Sequence, residues 1–316
     1  MSPGRVLVTG GAGFIGSHVC DRYMAEGWEV TALDNLSSGR RENVPSGVDL
    51  IEMDVRAPEV RDVFVEGAFN VVNHHAAQID VRTSVTDPWL DASINLGGLL
   101  NLLQCSVEFG LDRFVFISSG GVVYGEPDEL PTPRTALKKP LSPYGVSKLS
   151  SEYYLQAFRE LHGLEYAALR YSNVYGPRQD PHGEAGVVAI FSQRIRDGET
   201  LTIFGDGEQT RDYVFVKDVA AANLLVTSAD LPDGGGLDSV AFNVGTATET
   251  SVNGLAGTLI RIAGNDVAIH HAEARPGELF RSSLDCADTL ALGWSPAYGL
   301  EDGLRETYES IAGIVA

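Results

Sequence analysis

Two spacings of apolar residues alternate along the first half of the chain. Short runs rich in Val, Ile and Leu occupy residues 5–9, 29–34, 49–55, 70–78, 113–119 and 166–171, and their length and β-branched content predict strands. Between them apolar residues recur every three or four positions, most clearly from Asp87 to Phe109 and from Ser142 to Leu161, which predicts amphipathic helices. Strands that alternate with helices indicate an α/β fold with a doubly wound parallel sheet.

The regular alternation ends after Tyr171. Residues 173–186 are rich in glycine, proline and polar residues, as loops are, whereas residues 212–229 fit a strand and a helix, and 240–244 fit another strand. Beyond Gly245 only short helical stretches follow. We therefore expect one domain of residues 1–172 plus about 212–244, and a smaller region of about 173–211 plus 245–316 that closes over it.

A glycine-rich turn joins the first strand to the first helix. Gly10, Gly13 and Gly16 stand between a strand and a helix, the context in which glycines bind a dinucleotide. Gly10 permits the tight turn, Gly13 lets a pyrophosphate approach the backbone, and Gly16 lets helix and strand pack closely. The spacing is GxxGxxG rather than GxGxxG. It predicts a Rossmann-type domain.

Acidic residues end the next two strands. Asp34 ends the second strand, where a carboxylate binds the adenosine ribose hydroxyls and repels a 2′-phosphate. NAD is therefore favoured over NADP, although Arg40 and Arg41 follow closely and weaken this preference. Asp54 ends the third strand and could hold the adenine amino group.

The fourth strand ends in a histidine pair and small residues. His74 and His75 point to opposite faces of a strand, and no acid or cysteine stands at ligand spacing, so no metal site is predicted. The following Ala76, Ala77 and Gln78 would let a cofactor lie against the strand tip. Asn95, on the long helix that follows, could face the cofactor.

Tyr144 and Lys148 form the candidate catalytic pair. Ser142 can cap a helix and Pro143 suits its first position, so the two side chains are i and i+4 on one helical face. A phenol has a pKa of about 10, and an ammonium one turn away together with the helix N-terminus favours the phenolate. A surface tyrosine and a surface lysine remain the alternative for this stretch alone.

Charge and composition limit the partners. The 23 basic and 43 acidic residues give a net charge of −20, which argues against nucleic acid or an anionic membrane. No apolar stretch approaches the roughly 20 residues that span a bilayer. The first strand begins within five residues of the N-terminus, which leaves no room for a signal peptide. The 3 cysteines form no CxxC, so we expect a reducing cytoplasm.

These motifs together resemble the extended short-chain dehydrogenase/reductases (SDR). Later segments narrow the resemblance to the nucleotide-sugar epimerases of the UDP-glucose 4-epimerase kind: the NVYGPR segment from Asn173, the GDGEQTRDYV segment from Gly205, RPGE from Arg275 and LGW from Leu292. The resemblance covers nearly the whole chain. It implies NAD as cofactor, a UDP-sugar as substrate, and a smaller C-terminal substrate-binding region beside the Rossmann-type domain.

The resemblance also implies which residues bind. Cofactor contacts would come from Gly10, Gly13, Phe14, Ile15, Gly16, Asp34, Asn35, Leu36, Ser37, Ser38, Gly39, Asp54, Val55, His75, Ala76, Ala77, Gln78, Asn95, Tyr144 and Lys148. The substrate would be held by Ser119, Tyr144, Asn173, Val188, Arg211, Tyr213, Arg275 and Glu278, where the two arginines fit as clamps on a diphosphate.

The implied reaction is oxidation and re-reduction at C4 of the sugar, with Tyr144 as base and Lys148 keeping the phenol pKa low. The family usually has Ser or Thr where this chain has Gly120, so either Ser119 relays the proton or Tyr144 acts directly. Relatives that dehydrate or decarboxylate have an acid where this chain has Val122, so epimerisation is favoured. Ser282 occupies the position that gates the 2-substituent, and its small size predicts that N-acetylhexosamines are accepted.

Three other functions stay open. They are 4-epimerisation of UDP-glucuronate, a net NAD(P)-dependent reduction or oxidation of a nucleotide-sugar, and a non-catalytic sensor of dinucleotides. The sensor is disfavoured because such proteins commonly lack the Tyr144/Lys148 pair. In the family the helices at 87–109 and 142–161 form a dimer face, so a homodimer is expected.

Overall fold

The computed structural model describes residues 2–182, 186–274 and 279–314. Its strands are β1 (Arg5–Thr9), β2 (Glu29–Asp34), β3 (Asp49–Glu52), β4 (Val71–His74), β5 (Arg113–Ser119), β6 (Tyr166–Tyr171), β7 (Asn173–Tyr175), β8 (Leu201–Phe204), β9 (Thr210–Arg211), β10 (Tyr213–Phe215), β11 (Ala241–Val244), β12 (Thr250–Ser251) and β13 (Ile269–Ala272).

The helices are α1 (Phe14–Ala25), α2 (Val60–Gly67), α3 (Val81–Thr86), α4 (Pro88–Ala92), α5 (Gly98–Glu108), α6 (Gly120–Val123), α7 (Pro143–His162), α8 (Val187–Arg196), α9 (Val216–Ser228), α10 (Val252–Ala263), α11 (Ala287–Ala291) and α12 (Leu300–Ile311). A π-helical turn (Ser93–Gly97) joins α4 to α5, and short 3₁₀ turns lie at Arg41–Asn43 and Leu237–Val240. No helix among the described residues is long and apolar enough to cross a membrane.

The central sheet has seven parallel strands in the order β11-β6-β5-β4-β1-β2-β3. The chain starts in the middle, winds outward to β3, and then crosses to β4 on the other side of β1. The strand order therefore reverses between β1 and β4. In a sheet of this kind, ligands bind outside the carboxyl ends of the strands at this reversal.

Both faces of the sheet are covered, as a parallel sheet requires. Successive residues of β1 serve opposite faces: Val6 and Val8 join the core under α1 and α9, and Leu7 joins the core under α2, α5 and α7. Because the inner strands are buried on both faces, their sequences are almost continuously apolar, whereas β3, at one edge of the sheet, is partly exposed. The predicted doubly wound sheet is confirmed.

Three small two-stranded sheets build the remaining part: β7 with β10, β8 with β13, and β9 with β12. The last two join residues 201–211 to residues 250–272, so two segments that are distant in the sequence meet in one place. A separate apolar core between α8, α10 and α12 supports them. Helix α9 packs on α1, so it covers the central sheet as expected. The strand directly before it, β10, pairs instead with β7 in a small sheet.

Within residues 1–172 most predicted elements have their expected bounds, with two differences, whereas beyond Gly245 two 12-residue helices and two strands stand where only short helical stretches were expected. β3 and β4 end at Glu52 and His74, several residues short of the apolar runs that predicted them, because the chain turns at that edge to form the cleft described below. The helix expected from Asp87 to Phe109 is interrupted at the π turn. π turns inside helices are frequent at functional sites.

Candidate active site

The glycine turn after β1 has the geometry that a dinucleotide phosphate needs. Gly10 adopts φ +70°, and a Cβ on it would lie 2.7 Å from the Ala76 nitrogen. A Cβ on Gly16 would lie 2.2 Å from the Gly10 oxygen, so α1 packs directly on the turn. Gly13 precedes α1 without a side-chain cap, which leaves the first amides of the helix free for an anion. The predicted roles of the first and third glycines are confirmed.

The Asp34 side chain lies beside the glycine turn and is hydrogen-bonded to its backbone. Its carboxylate is buried and accepts hydrogen bonds from the amides of Ala12 (3.0 Å) and Leu36 (2.8 Å). One lone pair on each oxygen therefore remains for ribose hydroxyls. A Cβ on Gly39 would lie 2.8 Å from this carboxylate, so only glycine fits there.

A cleft of about 310 Å³ opens at this edge of the sheet, beside Asp34. Residues predicted to bind the cofactor line most of it: Asp34, Asn35, Ser37, Ser38, Asp54, Val55, Ala76, Ala77 and Gln78, with Leu33, Met53, Ile79, Asp80 and Ile94 completing the wall. The cleft lies where the strand order reverses and continues from the glycine turn. The residues present thus fit the adenosine half of a dinucleotide.

The charge of the cleft favours NAD over NADP. Its lining contains Asp34, Asp54 and Asp80 and no Lys or Arg. The two nearby arginines are held elsewhere, since Arg40 pairs with Asp180 (2.9 Å) and Arg41 with Glu52 (2.6 Å). A 2′-phosphate on the ribose would therefore meet the Asp34 carboxylate, and the third arginine nearby, Arg56, is held by Asp54 (2.7 Å).

The Asp54 carboxylate, predicted to hold the adenine amino group, already has hydrogen-bond partners within the chain. Its two oxygens accept three hydrogen bonds from Arg56 (2.7–2.9 Å) and one from the Asn35 amide (3.2 Å). Hydrogen bonds from Arg56 lower the pKa of this carboxyl to about 2. Because all four lone pairs are used, an adenine amino group would have to replace one of these bonds.

The loop after β4 is fixed by Asn95. The Asn95 side chain accepts from the Gln78 amide (2.9 Å) and donates to the Gln78 carbonyl oxygen (3.0 Å) and to Asp91 (3.0 Å). Its amide is thus used within the chain, so it shapes the cleft wall rather than offering a free donor to the cofactor. That Asn95 contacts the cofactor, through the remaining lone pair of its side-chain oxygen, stays a prediction.

His75 presents a buried polar atom to the site. Its Nε2 has no hydrogen-bond partner among the described residues, and its backbone lies against Gly10. Burial and the nearby Lys148 charge lower the pKa of His75 to about 3, so the imidazole is neutral. An unpaired buried nitrogen beside the glycine turn is consistent with a contact to a bound ligand.

Tyr144 and Lys148 lie on the first two turns of α7, as predicted. The Ser142 hydroxyl caps the helix by accepting from the Gly145 amide (3.2 Å). Both side chains are buried, and the Lys148 nitrogen lies 5.8 Å from the centre of the Tyr144 ring. Lys148 donates to the Ile117 carbonyl oxygen near the end of β5 (2.7 Å), which leaves two of its protons free.

The prediction that the pKa of the Tyr144 phenol is low is wrong when only the groups of the protein itself act on it. Burial and the nearby Asp91 carboxylate raise the pKa of Tyr144. Burial lowers the pKa of Lys148 to about 8, although Asp91 and Glu152 act in the opposite direction. Burial opposes charge on either side chain. Further positive charge at the site is needed before Tyr144 is readily deprotonated.

The two serines at the end of β5 point in different directions. Ser118 is buried and donates to Glu152. Ser119 is partly exposed, precedes α6 without capping it, and has no hydrogen-bond partner among the described residues. Of the two hydroxyls, only that of Ser119 is available at the surface of the site.

Gly120 cannot accept a side chain in this packing. A Cβ there would lie 2.6 Å from Cδ1 of the buried Leu284. The amide of Leu284 donates to Asp212 (3.2 Å), and the flanking residues Ser283 and Asp285 hydrogen-bond to Thr132, which fixes this segment. Leu284, from the C-terminal part of the chain, therefore occupies the space that a hydroxyl-bearing side chain at position 120 would need.

Several predicted substrate residues lie next to this edge. Asn173 lies two residues after the end of β6, and β6 pairs with β5, where Tyr171 is opposite Ser119. Tyr213 pairs with Asn173 in the β7–β10 sheet, and Arg211 precedes it in β9. The fold therefore brings these residues together at the carboxyl edge of the sheet.

The other predicted substrate residues differ. Val188 is 1% exposed and packs in the core between α8 and α10, so its side chain does not face an open site, contrary to prediction. Arg275 and Glu278 lie outside the described residues.

Four buried charged residues around the site were not predicted. Glu152, one turn after Lys148, pairs with Arg170 of β6, and both side chains are at most 1% exposed. Asp91 accepts hydrogen bonds from three side chains, and Asp212 from two amides and a hydroxyl of residues 246–247 and from the Leu284 amide. The spacing of Glu152 four residues after Lys148 is the signal that could have identified the first pair.

Comparison with known proteins places this arrangement in a family. The model of the NAD dependent epimerase/dehydratase family matches residues 6–245. The UDP-glucose 4-epimerase of Mycolicibacterium smegmatis is 44% identical over 313 residues, covering 96% of this chain and 97% of that protein.

Solved structures agree with this match. The UDP-glucose 4-epimerase of Thermotoga maritima, solved with UDP-glucose, has a TM-score of 0.93 and 44% identity, covering 98% of this chain and 99% of that one. The Thermus thermophilus UDP-glucose 4-epimerase, solved with NAD, has a TM-score of 0.91 and 43% identity, covering 98% of this chain and 100% of that one. With its sheet, glycine turn and Tyr144/Lys148 pair, the chain belongs to the NAD dependent epimerase/dehydratase family.

Proposed function

We propose that the chain catalyses the NAD-dependent 4-epimerisation of a UDP-sugar, interconverting UDP-glucose and UDP-galactose through a transient 4-keto sugar. One observation carries the proposal: a buried Tyr144/Lys148 pair lies on a helix that Asp91 joins, through Ser147 and Gln78, to the wall of an acidic cleft that fits the adenosine half of a dinucleotide. The similarity to UDP-glucose 4-epimerases over nearly the whole chain supports it.

In the proposed reaction Tyr144 accepts the proton of the sugar 4-hydroxyl and later returns it to the 4-keto oxygen. NAD⁺, when bound, would supply the oxidant, accepting the C4 hydrogen as a hydride and returning that hydride to the other face of the 4-keto carbon. Lys148 is held by the Ile117 carbonyl oxygen, and its charge stabilises the phenolate. Since burial raises the pKa of Tyr144, phenolate formation depends on the positive charges brought together at the site.

Ser119 is the proposed proton relay between the sugar and Tyr144. Its hydroxyl is the available one of the pair, because Ser118 is committed to Glu152.

We propose that the substrate binds beside β7, β9 and β10. Asn173, Arg211 and Tyr213 lie on neighbouring strands there. Arg275 and Glu278 complete the proposed set, with the two arginines as clamps on the diphosphate. The assignment of cofactor binding to residues 1–172 plus about 212–244, and of substrate binding to the remainder, belongs to the same proposal.

Epimerisation is favoured over dehydration by what surrounds Tyr144. Val122 of α6 lies close enough that a Cβ on Gly145 would meet the Val122 carbonyl oxygen at 2.8 Å and the Val122 side-chain Cβ at 3.4 Å. The position next to the catalytic helix is therefore filled by an apolar side chain. Dehydration would require an acid or base there, and epimerisation does not.

Ser282 is the proposed determinant of substrate breadth. It is partly exposed and lies in the segment whose Phe280 carbonyl oxygen accepts from the Thr210 amide (2.9 Å), next to Arg211. A small side chain there leaves room for a 2-acetamido group. We expect UDP-N-acetylglucosamine to be epimerised as well as UDP-glucose, and turnover of UDP-glucose alone would contradict this.

We also propose a homodimer through the helices of residues 87–109 (α4 and α5) and α7, beside which α3 packs. This surface exposes Trp89 (83%), Val85 (62%) and Tyr153 (57%), an unusual concentration of apolar area. Trp89→Glu should give monomers in sedimentation, whereas Leu290→Glu, at an exposed leucine of α11, should not. Monomeric wild-type protein would contradict the dimer. All three cysteines are free and buried, consistent with the proposed cytoplasmic location.

A substrate panel tests the proposed function. Purified protein is incubated with UDP-glucose, UDP-galactose, their N-acetyl forms and UDP-glucuronate, without added NAD, and the 4-epimers are separated. We expect UDP-glucose and UDP-galactose to reach the same equilibrium mixture from either side. Conversion of UDP-glucuronate alone, or turnover only with added NAD(P), would contradict the proposal in favour of a different substrate or a net redox reaction.

A further inference from the structure

A buried carboxylate connects the catalytic helix to the cofactor cleft. Asp91, on α4, is fully buried. One oxygen accepts from the Gln78 side-chain amide (2.9 Å) and the Asn95 amide (3.0 Å), and the other from the Ser147 hydroxyl (2.6 Å). Gln78 forms part of the cleft wall, and Ser147 immediately precedes Lys148.

We propose that Asp91 is a positioning residue of the epimerase: it fixes Lys148 and Tyr144 against the cofactor cleft, and its charge sets the pH range in which the pair works. This inference rests on the proposed function. The hydrogen bonds supply the positioning, since one carboxylate joins α7, the loop after β4 and the π turn.

The charge acts on both members of the pair. Burial raises the pKa of Tyr144, and Asp91 raises it further. Burial lowers the pKa of Lys148 to about 8, and Asp91 is the larger of the two influences that raise it, Glu152 being the other. Without the Asp91 charge, both side chains would therefore lose their protons at lower pH.

The other charged groups around Lys148 do not replace this effect. From β4, His74 and His75 are neutral, because burial and the Lys148 charge lower the pKa of each. On α7 itself, Glu152 is bound to Arg170 of β6, whose opposite charge offsets it. From β5, only the Ile117 carbonyl oxygen and the Phe116 ring approach the Lys148 nitrogen. Asp91 is thus the carboxylate near the pair that has no cationic partner in its hydrogen-bond set.

Asp91→Asn separates charge from shape. The amide oxygen can still accept from Gln78 and Asn95, and the amide nitrogen can donate to the Ser147 hydroxyl, so the packing is preserved. We expect both limbs of the pH profile of kcat to move to lower pH by about one unit. Ser147→Ala removes one hydrogen bond and keeps the charge, so it should lower kcat while both limbs stay in place.

A second measurement does not depend on turnover. Titration of the Tyr144 phenolate by ultraviolet absorbance in the holoenzyme, with Tyr144→Phe as the blank, should give a lower pKa in Asp91→Asn than in wild type. Asp91→Ser also lacks the charge and should shift the phenolate pKa in the same direction. It takes the place of Asp91→Asn if Asp91→Asn does not fold.

Unmoved limbs and an unmoved phenolate titration in the charge-free variants would overturn the proposal and leave Asp91 a structural residue. An inactive wild-type protein would instead refute the proposed function, and the phenolate titration would still decide whether Asp91 sets the pKa of Tyr144.

Discussion

The ion pair between Glu152 and Arg170 offers a sharp test of how this fold is held together under the active site. Glu152→Gln keeps the size of the side chain and removes its charge. The carboxylate now accepts from the Arg170 Nε (3.0 Å) and from Ser118, and both paired side chains are at most 1% exposed. Burial works against the charge of Arg170, but the Glu152 carboxylate raises the pKa of that guanidinium.

The magnitude follows from the burial. Removing one partner of a buried pair leaves an uncompensated charge and costs about 3–5 kcal/mol. Asp238, which also accepts from Arg170 (2.9 Å), compensates in part, so we expect the lower half of this range. With a urea m-value of about 3 kcal/mol/M, the unfolding midpoint should fall by roughly 1 M.

Glu108→Gln is the matched control. Glu108 forms the same kind of two-point contact with Arg61, but the two side chains are 46% and 54% exposed. Exposed pairs contribute little, so its urea midpoint should stay close to that of wild type. If Glu152→Gln shifts the midpoint no more than Glu108→Gln does, the reasoning from burial is refuted.

Three further substitutions test separate parts of the site. Ser119→Ala should lower kcat about 10-fold or more if its hydroxyl relays the proton, and unchanged turnover would dismiss it from the mechanism. Gly16→Ala places a Cβ 2.2 Å from the Gly10 oxygen, so NAD should be lost on gel filtration and the melting temperature should fall; retention of both would contradict the close packing. Ser282→Tyr should abolish turnover of UDP-N-acetylglucosamine and spare UDP-glucose, and equal loss of both would show a different role.

The strands, the glycine turn and the catalytic helix could be predicted because their signals are local. A buried parallel strand must be apolar on both faces, Gly10 needs a positive φ, and Ser142 caps α7 through a residue three positions away. Each of these constraints acts within a few residues. The order of motifs then located the cofactor cleft.

The differences between the predicted and the observed site arise from contacts between segments that are distant in the sequence. Leu284 fills the space above Gly120 from 164 positions away, and Asp91 meets Ser147 from another helix, at a separation of 56 residues. Local spacing contains no trace of either contact. The low pKa expected for Tyr144 is wrong because one turn of helix shows the nearby ammonium but not the burial or the Asp91 charge.

The fate of the hydrogen at C4 tests the proposed mechanism most directly. UDP-glucose deuterated at C4 is incubated with the enzyme in ordinary water, without added NAD, and the UDP-galactose formed is analysed by mass spectrometry and NMR. If oxidation and re-reduction occur at one carbon, with Tyr144 moving only the hydroxyl proton, the deuterium should remain at C4 of the product. Product formed with hydrogen from water at C4 would contradict the account.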